Sequence, residues 1–230
     1  MIARELIDTA QVPGGEELRL FRHGSDFMIV LDRNELMSTR MSGSEEALAT
    51  MSCERIAGAT KPHLLIGGYG MGFTLRAALK MLGKDAKLTV VELVPKIIEW
   101  ARGPMAELAA GCLDDPRVQL VETDVALLIA GSRGEYDAIL LDVDNGPDGL
   151  VRDENWQLYS RQGLIAARDA LRPGGVLAIW SAGPDPAFAN RLRKAGFEVD
   201  EVKVRARSNG KGAKHVIWFA RPFKSAVAKR

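Results

Sequence analysis

The sequence predicts an α/β protein: a Rossmann-like, doubly wound and mostly parallel seven-stranded sheet with a terminal antiparallel strand pair and a short N-terminal β extension. Three observations lead to this prediction. Short apolar runs recur from residue 63 onward, helical stretches separate them, and two strand-like runs near the C-terminal end follow one another without a helix. A chain of 230 residues is long enough for one such domain with a small appendage.

The apolar runs have the composition of buried parallel strands. Strands that helices cover on both faces are apolar at successive positions rather than at alternate ones. Five runs have this character: 64–66 (LLI), 88–91 (LTVV), 118–121 (VQLV), 138–141 (AILL) and 176–180 (VLAIW). They predict the parallel part of the sheet.

Helical stretches lie between these runs and complete the doubly wound pattern. They include 73–82, 95–102 with Pro95 at the first helical position, and 160–171, which the turn RPGG at 172–175 is expected to close.

The C-terminal part departs from this alternation. A helix that ends at Gly196 is followed by the runs 197–207 and 215–222, with no helix between them. Consecutive strands joined by a short loop pair antiparallel, so these two runs are expected at the edge of the sheet.

The N-terminal part predicts a β-hairpin. The runs ELRLFR (17–22) and DFMIVLD (26–32) flank the turn signal HGSD. We therefore divide the chain into a β extension at 1–43 and an α/β domain at 44–230.

A helix is expected at 42–56, at the junction of these two parts. Ser42 and Glu45 have the spacing of a capping box, in which each side chain bonds the backbone of the other residue. The apolar side of this helix is predicted to contain Ala47, Leu48 and Met51.

The composition argues against several functional classes. Hydrophobic residues at 47% and charged residues at 27% are ordinary for a soluble globular enzyme. No apolar run reaches the roughly 18 residues of a membrane span, and no export signal is present, so a cytoplasmic location is expected. Cys53 and Cys112 are predicted to be reduced thiols, and His23, His63 and His215 lack ligand spacing, so no metal site is expected.

Positive charge is concentrated near the C-terminal end. Residues 191–230 contain twelve Lys or Arg and three acidic residues, and the loop 203–214 (KVRARSNGKGAK) is able to contact phosphates. No aromatic residues alternate with these charges, so a solvated hairpin tip is favoured over nucleic-acid binding.

A glycine cluster follows the first buried run, in HLLIGGYGMGFTL at 63–75. The phosphate-binding loop GxxxxGK[ST] fits Gly67 and Gly72, but it needs a lysine where this chain has Phe73. The dinucleotide fingerprint GxGxxG needs a glycine at that same position. Both nucleotide classes are therefore disfavoured.

The spacing GxGxG at Gly68, Gly70 and Gly72 is typical of S-adenosylmethionine-dependent transferases, where the backbone approaches the amino-acid end of the ligand. Glu92 ends the second run, where its two oxygens can accept both ribose hydroxyls. Asp124 ends the third run, where an acid can meet the adenine amino group. Either acid can instead cap the following helix.

In this order of features the chain resembles the spermidine synthase family of the class I S-adenosylmethionine-dependent methyltransferase fold, and within it the bacterial spermidine synthase-like subgroup. The resemblance is carried by LIGGYGMGFTLRAAL, TVVELVPKIIEWAR, DPRVQLVETDVALLIA, YDAILLDVDNGP and LYSRQGLIAARDALRPGGVLAIW. The N-terminal run ELRLFRHGSDFMIVLDRNELMSTR resembles the family's β extension. The resemblance implies polyamine biosynthesis, and a homodimer formed through that extension.

The resemblance also implies roles for particular residues. It implies ligand contact from Gly68, Gly70, Glu92 and Asp124, and we add Tyr69, Gly72 and Asp142 as cofactor-binding candidates. The catalytic candidates are Asp142, Asp144 and Asn145, at the place where the family carries D-x-x-D-P. Asn145 takes the place of the second acid, and Gly146 that of the proline.

Two further positions depart from the family. GGYGMG lacks the acid of the family's GGGDGG, and Leu36 occupies a place where the family favours glutamine. Each departure removes a polar group that would hold a polyamine or an aminopropyl donor. An amine must lose a proton before it attacks, and Asn145 cannot accept one, so Asp142 or Asp144 is the candidate base.

The loop after the fourth run is acidic. Residues 142–154 contain five acids and one Arg, which would attract an amine, although a solvated loop has the same composition. Trp156 and Tyr159 follow it, and they either stack on a substrate as a lid or seat the loop on the core.

The function favoured by the sequence is methyl transfer from S-adenosylmethionine to a small, amine-bearing acceptor. The alternative is aminopropyl transfer from decarboxylated S-adenosylmethionine, and a third is a non-catalytic protein that binds an adenosyl ligand. The donor's carboxylate discriminates between the first two, and the missing acid in GGYGMG favours methyl transfer. No nucleic acid, membrane or metal is expected as a partner.

Overall fold

Two β-sheets organise the chain. The computed structural model describes residues 4–143 and 156–223, and for Trp156 the backbone alone. A four-stranded sheet comes first in the sequence, and a seven-stranded sheet follows it.

The N-terminal sheet is antiparallel, and its strands lie in sequence order. They are β1 (Glu5–Gln11), β2 (Glu17–His23), β3 (Asp26–Leu31) and β4 (Asn34–Ser38). The predicted hairpin is confirmed as β2 and β3, with His23 opposite Asp26 across a two-residue turn. The flanking strands β1 and β4 extend it into a sheet.

The second sheet is the predicted doubly wound one. Its strands are β5 (His63–Gly67), β6 (Lys87–Glu92), β7 (Val118–Glu122), β8 (Tyr136–Leu141), β9 (Leu171–Ser181), β10 (Phe197–Arg205) and β11 (Lys214–Pro222). Their order is β10-β11-β9-β8-β5-β6-β7. The pairs from β9 to β7 are parallel, and β11 pairs antiparallel with β9 and β10. The predicted strand number and the terminal antiparallel pair are confirmed.

Helices connect the parallel strands. They are α1 (Gly43–Arg55), α2 (Phe73–Met81), α3 (Pro95–Arg102), α4 (Ala106–Ala109), α5 (Val125–Gly131), α6 (Trp156–Tyr159), α7 (Arg161–Ala170) and α8 (Pro186–Lys194). A short 3₁₀ turn lies at Cys112–Asp114. No helix within the described ranges is long and apolar enough to cross a membrane.

Helix α1 differs from its prediction in two ways. Ser42 makes no capping bond through its side chain, so the capping-box interpretation is wrong. The predicted residues do pack on the core, Leu48 fully and Ala47 and Met51 in part, but the buried face is broader and also includes Ser44, Ala49, Ser52 and Cys53. Small polar residues belong to this face because α1 packs closely against α2 and the sheet.

Helix α7 ends at Ala170, next to the RPGG segment that was expected to close it, but RPGG itself belongs to a strand. Strand β9 begins at Leu171, directly after α7, and includes these residues. Arg172 is fixed there because its Nη1 donates to Asp137 Oδ2 at 2.7 Å, and the same oxygen accepts the backbone N–H of His63 at 2.8 Å. The ion pair therefore joins β9, β8 and β5 at the end of the sheet opposite the glycine loop.

Alternate residues of the central strands face two apolar layers. Leu64, Ile66 and Leu140 belong to the layer that also contains α1, α2 and the N-terminal sheet, whereas Leu65 and Ile139 belong to the layer around α7 and α8. The division into domains at residue 43 stays a prediction, since the first layer is shared by both parts of the chain.

Candidate active site

A cavity of about 380 Å³ lies where the parallel strands end, between the large sheet and the N-terminal sheet. It is lined by Val12, Leu18, Glu35, Leu36, Met37, Met41, Glu45, Gly68, Gly70, Val91, Glu92, Leu93, Val94, Ile97, Thr123, Asp124, Val125, Asp142, Val143, Trp180, Ala182, Ala213 and His215. The carboxyl ends of strands in an open α/β sheet are where this architecture binds ligands. We call this space the strand-end cavity.

The glycine loop forms one wall of the cavity through Gly68 and Gly70. Gly68 has φ +86°, and a Cβ atom there would lie 2.7 Å from the carbonyl oxygen of Asp142. Gly70 has φ +55°, and a Cβ atom there would lie 2.8 Å from Cε of Met37 on β4. The backbone carbonyl therefore excludes a side chain at Gly68, whereas at Gly70 the positive φ favours glycine and the end of the Met37 side chain would have to move.

Tyr69 and Gly72 support the loop from behind. The Tyr69 ring is buried, with its hydroxyl 3.6 Å from Sγ of Cys112. A Cβ atom at Gly72 would lie 2.7 Å from that same hydroxyl. Neither residue lines the cavity, so the structure places Gly68 and Gly70 at the cavity and these other two in the core beneath it.

Glu92 ends β6 and is held by backbone donors. Its Oε2 accepts the N–H of Tyr69 at 2.9 Å, and its Oε1 accepts the N–H of Val94 at 2.9 Å. Burial raises the pKa of this carboxyl, against the opposing effect of these bonds. The backbone N–H groups of Gly70 and Leu93 also contribute to holding this carboxyl, which keeps Glu92 in place at the end of β6.

Asp124 serves as the N-cap of α5, because its Oδ1 accepts the N–H of Ala126 at 2.8 Å. The capping alternative that the sequence left open is therefore present. Asp124 also lines the cavity together with Thr123 and Val125, so the cap does not remove it from the site.

Asp142 follows β8 and is partly buried at the cavity wall. The hydroxyl of Thr74, in the first turn of α2, donates to its Oδ2 at 3.0 Å. Burial raises the pKa of Asp142 to about 6, although the Thr74 bond acts in the opposite direction. The other catalytic candidates, Asp144 and Asn145, lie outside the described residues.

Glu45, which the sequence analysis assigned to a helix cap, also lies at the cavity. Glu45, on α1, lines the cavity, and its Oε2 accepts the hydroxyl of Ser44 at 2.9 Å. Burial raises the pKa of Glu45 to about 8, and the negative charge of Asp142 adds to this effect. No local signal distinguishes it from its neighbour Glu46, so sequence reasoning missed it.

His215 and Trp180 reach the same wall from the C-terminal strands. Nδ1 of His215 lies 2.9 Å from Oγ of Ser44, and its ring meets the Trp180 indole edge-on, with centroids 4.8 Å apart. Burial lowers the pKa of His215. Nε1 of Trp180 is buried and has no hydrogen-bond partner within the described residues, so a ligand that accepted this bond would recover a desolvation cost.

Tyr159 does not reach the cavity, which corrects its assignment as a substrate-loop residue. It is 0% exposed, its hydroxyl donates to the carbonyl of Val143 at 3.2 Å, and its ring packs edge-on against Phe188. Tyr159 therefore seats α6 on the core. The side chain of Trp156, its companion in the prediction, lies outside the described part of the structure.

The charge of the cavity is one-sided. Five carboxyl groups line it, from Glu35, Glu45, Glu92, Asp124 and Asp142. In the ranges 4–143 and 156–223, no Lys or Arg side chain joins them. Carboxyls that are partly buried without a cation favour a cationic ligand, because such a ligand supplies the missing opposite charge.

Comparisons with known proteins identify relatives. The family model described as the spermine/spermidine synthase domain matches residues 42–186. A polyamine aminopropyltransferase of Mycobacterium tuberculosis is 30% identical over 206 residues, which cover 85% of this chain and 38% of that protein. Polyamine aminopropyltransferase 1 of Streptomyces coelicolor is 32% identical over 159 residues, which cover 65% of this chain and 29% of that protein. This chain thus spans well under half the length of these curated relatives.

The fold has counterparts among solved structures. Spermidine synthase from Thermotoga maritima superposes with a TM-score of 0.75 at 22% identity, covering 94% of this chain and 72% of that one. A spermidine synthase in complex with the transition-state analogue AdoDATO superposes with a TM-score of 0.74 at 22% identity, covering 94% and 71%. At this identity the likeness establishes the fold.

Replacing Gly68 by Ala tests whether the close approach at the strand end controls the cavity. Gly68→Ala should destabilise the protein by more than the roughly 1 kcal/mol of left-handed strain and should abolish binding of adenosyl ligands. Gly174→Ala is the matched control, since Gly174 has nearly the same φ, +84°, with nothing within 4 Å of the added atom. Thermal unfolding and calorimetric titration measure both effects, and equal behaviour of the two variants would contradict the assignment.

Replacing Glu45 by Gln tests the raised pKa of this carboxyl. Between the ordinary glutamate pKa of 4.5 and the folded value of about 8, the folded state binds more protons than the unfolded chain, so stability falls as pH rises. Gln does not ionise, so Glu45→Gln should gain stability over the wild type on the order of 4 kcal/mol on going from about pH 5 to about pH 8.5. Urea unfolding of the wild type and of Glu45→Gln at both pH values measures this gain, and an equal change in the stability of the two proteins would contradict the assignment.

Proposed function

The chain belongs to the spermine/spermidine synthase domain family, and on that premise we propose that the strand-end cavity transfers the aminopropyl group of decarboxylated S-adenosylmethionine to a small amine. The observation that carries the proposal is the charge of the cavity, which has five carboxyl groups and, over the described ranges, no Lys or Arg. The names of the aminopropyltransferase relatives support the same reaction.

The charge argument ranks the two donors. S-adenosylmethionine carries a carboxylate, which would lie in a cavity that offers carboxyl groups and no cationic side chain among the residues described. The decarboxylated donor lacks that group and presents a sulfonium and an ammonium, which are both cations. This ranking reverses the one drawn from the sequence, where the missing acid in GGYGMG favoured methyl transfer.

Glu45 accounts for the reversal. The acid that the glycine motif lacks is supplied from α1, next to Asp142 in the same cavity wall. The glycine motif alone has no acid, but the assembled cavity places a carboxyl group beside Asp142.

Different residues of the cavity would bind different parts of the ligands. Glu92 would accept the ribose hydroxyls at the end of β6, and Asp124 would accept the adenine amino group at the end of β7. Asp142 and Glu45 would face the ammonium groups of donor and acceptor. The sulfonium is an excellent leaving group, so the protein chiefly places the amine in line with the carbon that it attacks.

Two further features of the proposal come from the family resemblance. A homodimer formed through the N-terminal sheet and a cytoplasmic location both stay predictions, to be checked by light scattering and by cell fractionation.

Titration with four ligands tests the choice of donor. The purified protein is titrated with S-adenosylmethionine, decarboxylated S-adenosylmethionine, S-adenosylhomocysteine and methylthioadenosine. The two ligands without a carboxylate should bind more tightly by about thirtyfold, which corresponds to about 2 kcal/mol for an unpaired anion near the acids. Tighter binding of the carboxylated pair would restore methyl transfer as the leading function.

Turnover then separates an enzyme from a binding protein. With decarboxylated S-adenosylmethionine and a series of diamines, the wild type should release methylthioadenosine. Asp142→Asn should lower the rate and still bind methylthioadenosine. Binding without turnover for every amine would identify a non-catalytic protein instead.

A further inference from the structure

We propose that Glu45 is a further catalytic residue: its carboxylate accepts the proton of the attacking amine, in place of the second acid that the sequence lacks at Asn145. This inference rests on the proposed aminopropyl transfer. It is carried by three features of the structure, which are the position of Glu45, the hydrogen bonds that orient it, and the charges around it.

The position of Glu45 is set by three elements that meet at the cavity. Helix α1 carries Glu45, the end of β8 carries Asp142, and the first turn of α2 carries Thr74. The hydroxyl of Thr74 donates to Oδ2 of Asp142 at 3.0 Å and lies 3.4 Å from the carbonyl oxygen of Glu45. Thr74 thus ties the Glu45 backbone to Asp142. Both acids line the cavity, and their carboxyl groups are close enough for the charge of Asp142 to act on Glu45.

Hydrogen bonds orient the Glu45 carboxyl. Oγ of Ser44 donates to Oε2 of Glu45 at 2.9 Å, and Nδ1 of His215 lies 2.9 Å from that Oγ. A hydroxyl has one proton, so with Glu45 ionised His215 is the donor to Ser44. Ser44 is 0% exposed, which makes the chain His215–Ser44–Glu45 a fixed support rather than a solvent contact.

The surroundings of Glu45 make it basic. The titratable groups that face it are Asp142 from β8, His215 from β11 and Glu46 on its own helix, while α2 contributes Thr74 and β9 contributes Trp180. None of these is a Lys or Arg, and burial of the carboxyl adds to the effect of Asp142. A carboxylate in this setting has a proton affinity closer to that of an amine than an exposed one has.

The proposed step is a proton transfer followed by a displacement. The acceptor ammonium gives one N–H proton to a Glu45 oxygen, and the freed nitrogen lone pair attacks the propyl carbon bonded to the sulfonium. The C–N bond forms as the C–S bond breaks, and the C–S electron pair goes to sulfur, giving methylthioadenosine. The charge lost at sulfur appears on the alkylated nitrogen, and Glu45 returns its proton to solvent.

The experiment compares Glu45→Gln with Glu46→Gln, a neighbour on the same helix that does not line the cavity. Glu45→Gln should keep its affinity for methylthioadenosine within about twofold and lose about 100-fold or more in kcat. The wild-type profile of kcat/KM against pH should rise with an apparent pKa near 8, the value to which burial raises the pKa of Glu45. That limb should be absent in Glu45→Gln and retained in Glu46→Gln.

Two more variants make the result decisive. Glu45→Asp keeps a carboxyl on a shorter side chain and should recover part of the lost rate, which a purely structural role would not predict. Asp144→Asn tests the competing base, and loss of the pH limb in this variant instead of in Glu45→Gln would overturn the proposal.

The outcomes also separate this inference from the function on which it rests. If the wild type released no methylthioadenosine with any diamine, both would be overturned. If the wild type turned over and Glu45→Gln kept its kcat and its pH profile, the assignment of Glu45 would be wrong and aminopropyl transfer would stand.

Discussion

The site depends on the close approach of two neighbouring strand ends. Gly68, just after β5, leaves no room for a side chain against the carbonyl of Asp142, just after β8. Backbone bonds hold this arrangement: the N–H of Gly68 donates to Val91 on β6 at 2.8 Å, and the N–H of Asp142 donates to Gly67 at 3.1 Å. The glycine loop, the β6 carboxylate and the β8 carboxylate therefore share one edge of the sheet.

Bringing these acids together has an electrostatic cost that the protein does not offset with cations from its described residues. Burial raises the pKa values of Glu45, Glu92 and Asp142, and the first and last of these face the same wall. A ligand with a sulfonium and an amine relieves this cost, whereas a ligand with a carboxylate increases it. The clustering of acids that is unfavourable for the protein alone thus also makes the site selective for cationic ligands.

The departures from the family motif acquire a different meaning in three dimensions. Leu36 and Met37 on β4 line the cavity as apolar neighbours of the glycine loop, which fits a motif that carries no acid. A carboxyl group is supplied instead by Glu45 on α1, a position that none of the quoted motifs contains. The acid that the glycine motif lacks is therefore replaced by a carboxyl group from another element.

Sequence patterns were sufficient to predict the sheet, its strand number and the acids at the strand ends. Buried parallel strands must be apolar on both faces, and a residue that directly follows such a strand lies at the ligand-binding edge. This reasoning placed Glu92, Asp124 and Asp142 correctly at the cavity. The same local reasoning gave Glu45 the role of a helix cap, since a capping box is recognised from spacing alone.

Tertiary structure alone decided which other side chains join these acids. Ser44 and His215 meet across 171 residues of sequence, and Trp180 reaches the same wall from a third element. The sequence left open whether Tyr159 covers a substrate or packs on the core. Its ring packs in the apolar layer around α8. Local periodicity indicates whether a face is buried. Which residues that face contacts depends on how distant elements pack, and the chemistry of the site depends on those contacts.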